Sequence, residues 1–113
     1  MLVDEFLQQI GSRIYDRRKQ MRLTQERLAD LAGMTAQTIS TAELGKKALR
    51  PENIVKLAAA LGVSTDYLLR GQVTASDKNN LLEKIDKLSP TQYHYLEDII
   101  NCFLCAIEDL QGN

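Results

Sequence analysis

Two groups of residues in this sequence have types and spacings that could do chemistry. The first is Cys102 and Cys105, a Cys-x-x-Cys of the kind that holds a soft metal or cycles a disulfide. A tetrahedral metal site needs a second such pair, and the chain has two cysteines and one histidine, His94. The i, i+3 spacing inside an apolar run therefore reads the cysteines as small buried residues of an amphipathic helix rather than as a metal or redox pair. His94, between Tyr93 and Tyr95, reads as a partly exposed helix residue. No nucleophile stands at a spacing that supplies it with a base, and no glycine-rich phosphate loop occurs, so neither catalysis nor a cofactor is predicted. The second group is Ala36, Gln37, Ser40 and Thr41, with Thr35 just ahead of them. On a helix these form a small, polar, uncharged surface. Such a surface suits the floor of a DNA major groove, where amides and hydroxyls hydrogen-bond to base edges; the Gln37 amide matches adenine, and the Ala36 methyl can meet that of thymine.

Presenting that surface requires a second helix crossing at a steep angle, and the flanking residues supply one. Within Gln25 to Leu44, Ala29 is the small residue where two backbones meet, Gly33 reverses the chain and Ile39 pins the second helix. Leu28, Ala32, Met34 and Ala42 fill the remaining inward positions. Thr24 caps the first helix, whose apolar stripe is Leu28, Leu31 and Ala32; Thr35 caps the second, which Gly45 ends. Ahead of the pair, Phe6, Ile10, Ile14 and Met21 predict a helix over about 4–21. Behind it, Pro51 and Glu52 start PENIVKLAAAL, Gly62 stops it, and Ser64 caps TDYLLR before Gly71. Five helices thus fit within the first 71 residues, with no strand alternation. QVTAS then reads as a linker, followed by helices over about 77–88 and 90–110, separated at Ser89 and Pro90.

From Gly11 to Gly71 the chain resembles the Cro and cI phage-repressor class of helix-turn-helix domains, the Xre family. The resemblance is carried by TQERLADLAGMTAQTIS, by Glu43 and Gly45, and by PENIVKLAAALGVSTDYLLRG. It implies an all-α, five-helix lambda-repressor-like domain that binds double-stranded DNA, with the helix beginning at Thr35 as the recognition helix. It places Gln25 on a backbone phosphate, assisted by the N–H groups of that helix start. It pairs Arg18 with Glu43 so that the guanidinium faces phosphate, and it matches Lys46 and Lys47 to the family's basic loop. Two departures are visible. Leu44 stands where the family commonly has Asn before the glycine, and KKALR lengthens the loop, which either carries Lys46, Lys47 and Arg50 further along the DNA backbone or lets the loop touch bases.

The formal net charge of -1 conceals an asymmetry: residues 1–71 hold eleven Lys/Arg against eight Asp/Glu, and the remainder three against seven. The bases cluster as Arg13, Arg17, Arg18, Lys19 and Arg22 and as Lys46, Lys47 and Arg50, a pattern that fits either phosphate binding or an ordinary solvated face. No apolar run approaches the ~20 residues that span a bilayer. Acids in MLVDEFLQQI, where a signal peptide carries bases, predict a cytoplasmic protein with no membrane partner. In the last helix Tyr93, Leu96, Ile100, Phe103, Ile107 and Leu110 form a heptad seam, with Tyr95, Ile99, Cys102 and Ala106 beside it. Leu96, Ile100, Phe103, Ile107 and Leu110 are expected to hold a homodimer, because two half-sites need two recognition helices. The prediction is a DNA-binding domain over 1–71 and a linker with a helical oligomerisation segment over 72–113, in a bacterial or phage repressor of a near-palindromic operator. The second segment is too short for a small-molecule sensor, which leaves control by protein concentration or by a regulatory protein partner, an antirepressor or an antitoxin-like protein bound through the acidic tail. The rival reading is a protein-interaction module or antitoxin-like partner built on a helix-turn-helix scaffold.

Overall fold

The computed structural model describes residues 3–111, which form seven helices and no strand. They are α1 (Val3–Gln20), α2 (Gln25–Ala32), α3 (Ala36–Glu43), α4 (Pro51–Leu61), α5 (Thr65–Arg70), α6 (Ala75–Asp86) and α7 (Pro90–Gln111). The helix starts follow from local chemistry. Thr24, Thr35 and Ser64 accept the N–H groups of Arg27, Thr38 and Tyr67, relieving otherwise unpaired donors. Pro51 occupies the first turn of α4, where a missing N–H costs nothing. Thr74 with Asp77, and Ser89 with Gln92, cap α6 and α7 reciprocally, each side chain bonding the other residue's N–H. Because Thr74 is a cap, α6 begins at Ala75, inside the stretch read as linker, and it stops at Asp86, short of Leu88.

Backbone contacts divide the chain into two units, the first ending at Lys78 and the second beginning at Asn79. In the first, α1 to α5 close around Ile14, Leu28, Ile39, Leu57, Leu61 and Leu68, all fully buried. Burying each such side chain contributes roughly 1.5–3 kcal/mol before the entropy of ordering it is counted. Three residues read as inward-facing are not in this core: Phe6, Met21 and Leu31 are exposed. The four-residue row of α1 runs Ile10, Ile14 and then Arg18, while Met21 falls in the turn beyond the helix end. On α2, Ala29 and Ala32 occupy the interior with Leu28, which leaves Leu31 on the outer flank.

In the second unit no described side chain is buried. Cys102 and Cys105 are exposed, not buried as their spacing had implied; three residues apart, they stand about 60° apart around α7, and Cys105 falls on the polar side with His94, Asp98 and Asn101. Helices α6 and α7 do not pack side by side. No described helix is long and apolar enough to cross a membrane.

Candidate nucleic-acid interface

Helix α3 is joined to α2 by the turn at Gly33 and is locked again at its C-terminal end. At its C-terminal end it lies against α1 at Gly11, where a Cβ would collide with the carbonyl oxygens of Ala42 and Glu43. A glycine in mid-helix costs about 1 kcal/mol relative to alanine, and here it permits the contact. Gly45, at φ 68°, then turns the chain out of α3. Its N–H bonds the Ala42 carbonyl, the Lys46 N–H bonds that of Thr41, and a Cβ would strike the backbone of Gln8 at 2.8 Å.

The same end is clamped electrostatically. Arg18 Nε donates to Glu43 Oε2 at 2.7 Å and Nη2 to Oε1 at 3.0 Å, while Nη1 donates to the Leu23 carbonyl at 2.8 Å. Gln25 Nε2 donates to Glu43 Oε1 at 3.0 Å, so one carboxylate ties α1, α2 and α3 together. The two charged side chains are 9% and 5% exposed. The hydrogen bond to Glu43 raises the Arg18 pKa above its ordinary value, against the burial that lowers it. Arg18 was expected to present its guanidinium to phosphate. It faces inward instead, with all three nitrogens engaged, and the Tyr15 ring lies 5.3 Å from its Cζ.

Two more bases of α1, Arg13 and Arg17, are half-buried, while Lys19 is exposed. Arg13 Nη1 donates to the Leu68 carbonyl near the end of α5, and Arg17 Nε to the Leu61 carbonyl at the end of α4, each at 2.9 Å. Both place a cation where a helix dipole is negative. Neither is simply a solvated charge.

At the N-terminal end of α3, Thr35 and Gln37 are exposed, while Ala36, Ser40 and Thr41 are half-buried, Ala36 packing on the core. Gln37 Nε2 donates to Thr41 Oγ1 at 3.2 Å, and Thr35 and Thr38 hydroxyls lie 2.9 Å apart. Beside this row the loop after α3 opens a cleft of about 290 Å³ lined by Gln37, Thr38, Thr41, Lys47, Arg50 and Asn53. Lys46, Lys47 and Arg50 are all exposed. One helix therefore presents an amide and hydroxyls beside a loop of cations.

A helix-turn-helix family model matches residues 14–68, the stretch that contains this arrangement. Over 78 residues the chain is 35% identical to the SPbeta prophage-derived uncharacterized HTH-type transcriptional regulator YonR of Bacillus subtilis, covering 69% of this chain and 72% of that protein. This chain belongs to the helix-turn-helix family of transcriptional regulators. The regulator is also similar to Repressor protein C2 of Salmonella phage P22, at 34% identity over 62% of its own length and 32% of the phage protein's. Among solved structures, the P22 c2 repressor in complex with a synthetic operator matches with a TM-score of 0.55 and 37% identity, covering 57% of this chain and 98% of that one. The restriction-modification controller protein C.AhdI from Aeromonas hydrophila matches with a TM-score of 0.53 and 34% identity over 55% of the regulator. The fold is thus the all-helical one of the phage-repressor DNA-binding domains.

Gly11 backs the end of α3, and Thr38 and Asn53 line the cleft, though the sequence reading singles out none of the three. Thr38 lies on the helix one position past Gln37, and its helical phase would have found it. Asn53 comes from the first turn of α4, and only the fold brings it to the cleft.

Proposed function

We propose that this protein is a sequence-specific DNA-binding repressor that occupies a near-palindromic operator as a homodimer, in a bacterial cytoplasm. One observation carries the reading: Gln37 stands exposed in the first turn of a helix whose C-terminal end is immobilised by Gly11 and the Arg18–Glu43–Gln25 clamp, beside the cations Lys47 and Arg50. A base-reading side chain must be held rigidly relative to the phosphate contacts that set its register. In this reading Gln37 contacts a base edge, with Ala36, Ser40 and Thr41 behind it along the groove. Thr35, Gln25, Lys46, Lys47 and Arg50 meet phosphates, and Arg18 positions without touching DNA. Specificity from so short a helix requires a second copy about 34 Å away. The seam of α7 supplies the pairing: Ile100, Phe103 and Leu110 are exposed and Leu96 and Ile107 half-buried, a self-complementary apolar row.

The experiment is selection of bound sequences from a random duplex pool, followed by titration of the winner at several salt concentrations. The expected result is an inverted repeat, with affinity falling steeply with salt. The slope should become shallower by about one when Lys46, Lys47 or Arg50 is neutralised. Recovery of no preferred sequence, or an affinity indifferent to salt, overturns the reading.

A further inference from the structure

Gln37 is exposed on a flexible side chain, so something must decide which way its amide faces. A terminal amide is two-ended: its oxygen accepts and its nitrogen donates. In the major groove adenine offers the complementary pair, an N6 donor beside an N7 acceptor, and replacing A·T by T·A reverses their order along the groove. An amide free to flip meets either order. One held in a single sense meets only one of them.

On α3 the holding group is Thr41. Gln37 Nε2 donates to Thr41 Oγ1 at 3.2 Å, one helical turn on, which aims the amide nitrogen toward the C-terminal end of α3 and leaves Oε1 and the second N–H for a base. The Thr38 hydroxyl is engaged by Thr35 instead. Thr41 has little freedom of its own. It is half-buried, its branched Cβ restricts χ1 on a helix, and its carbonyl accepts the Lys46 N–H at 3.2 Å in the turn that closes α3. Close behind it stands Glu43, the centre of the clamp with Arg18 and Gln25. The rigidity of the clamped end thus reaches the Gln37 amide through one hydroxyl. Both residues line the cleft beside the cationic loop, where bound DNA would exclude water and strengthen the bond between them.

We propose that Thr41 is a positioning residue: its hydroxyl fixes the sense of the Gln37 amide, and through it one operator base pair is read as A·T and not as T·A. The proposal rests on the reading of Gln37 as a base contact and gives Thr41 an indirect part in it rather than a base of its own.

The test uses the full-length protein and the duplex selected from the random pool. The base pair read by Gln37 is the one whose preference disappears in Gln37→Ala, and the duplex is remade with each of the four base pairs at that position. The natural protein should favour one orientation of the A·T pair. Thr41→Val keeps the shape and removes the hydroxyl, and it should reduce the discrimination between A·T and T·A by roughly 2- to 10-fold, the worth of one hydrogen bond. Thr41→Ser restores the hydroxyl and should recover the discrimination. In the Gln37→Ala background, Thr41→Val should change the ratio no further. Because the ratio compares two duplexes bound by the same protein, any change in the folded fraction cancels. A natural protein that does not favour one orientation of A·T, a ratio unchanged in Thr41→Val, no recovery in Thr41→Ser, or a further change in the double variant overturns the proposal and leaves Gln37 a base reader. A Gln37→Ala protein that selects the same sequence as the natural one overturns the reading of Gln37 itself.

Discussion

Gln37 is the side chain with the most to gain from an exact helix position, since it is exposed while the hydroxyls after it are half-buried. Gln37→Ala should weaken binding to the selected sequence by roughly 5- to 150-fold while leaving binding to random DNA nearly unchanged, as competition titrations would show. An equal loss on both would make it a phosphate contact. Arg18 calls for a different measurement. Arg18→Ala leaves Glu43 buried with Gln25 as its remaining side-chain partner, and should cost about 3–5 kcal/mol in urea unfolding. Replacing both members of the pair by apolar residues should cost less. Asp77 supplies a pH dependence. Desolvation raises its pKa, but hydrogen bonds from the N–H and hydroxyl groups of Thr74 and Ser64 outweigh it and hold the value at about 2, below the ordinary 3.8. A depressed carboxylate pKa stabilises the fold above about pH 4, and that stabilisation disappears as the pH falls toward 2. The acid-side loss of stability should therefore be smaller in Asp77→Asn than in the natural protein. These polar roles were only partly legible in the sequence. The Arg18–Glu43 pair came from a resemblance, while Arg13 and Arg17 looked like any charged helix face. Residue type does not distinguish an arginine aimed at water from one aimed at a carbonyl in an element some 40 or 50 positions away.

Among the elements, α3 and its partners decide the most. Ile39 and Ala42 were readable as inward-facing from helical phase, and both are buried. The glycine opposite them was not readable, because Gly11 in mid-helix resembles a mild propensity defect until α3 is seen against it. Gly11→Ala improves local helix propensity by about 1 kcal/mol but drives a methyl into backbone oxygens that cannot swing aside. Its net effect should be a loss of about 1–3 kcal/mol in thermal unfolding, together with reduced discrimination between the selected sequence and random DNA. Unchanged stability would mean that α1 shifts without consequence for α3. The last helix illustrates the opposite limit of sequence reading. Heptad spacing puts Leu96, Ile100, Phe103, Ile107 and Leu110 on one face of α7, and the i, i+3 spacing of the cysteines implied that they are buried, which they are not: periodicity marks a face and not what lies against it.

For the whole molecule, the end of the first compact unit lies at Lys78, beyond the glycine that closes α5. Ser64, the N-cap of α5, donates both its N–H and its hydroxyl to Asp77 at 2.7 Å, so the first turn of α6 belongs with the helices before it. A chain ending at Lys78 should fold cooperatively, sediment as a monomer and retain weak, salt-sensitive contact with DNA. One ending at Gly71 should unfold at a lower temperature than that chain. Equal melting temperatures for the two would remove Asp77 from the account. The placement of the clamp at one tip of α3 also bears on how such a regulator diversifies. Gly11, Arg18, Glu43 and Gly45 fix the helix from its C-terminal tip, whereas Gln37 projects from the other and supports none of the core. Mutational drift at position 37 is therefore nearly free of folding cost. Duplicated copies of the gene could acquire new target sequences one substitution at a time, without passing through an unfolded intermediate in their ancestry.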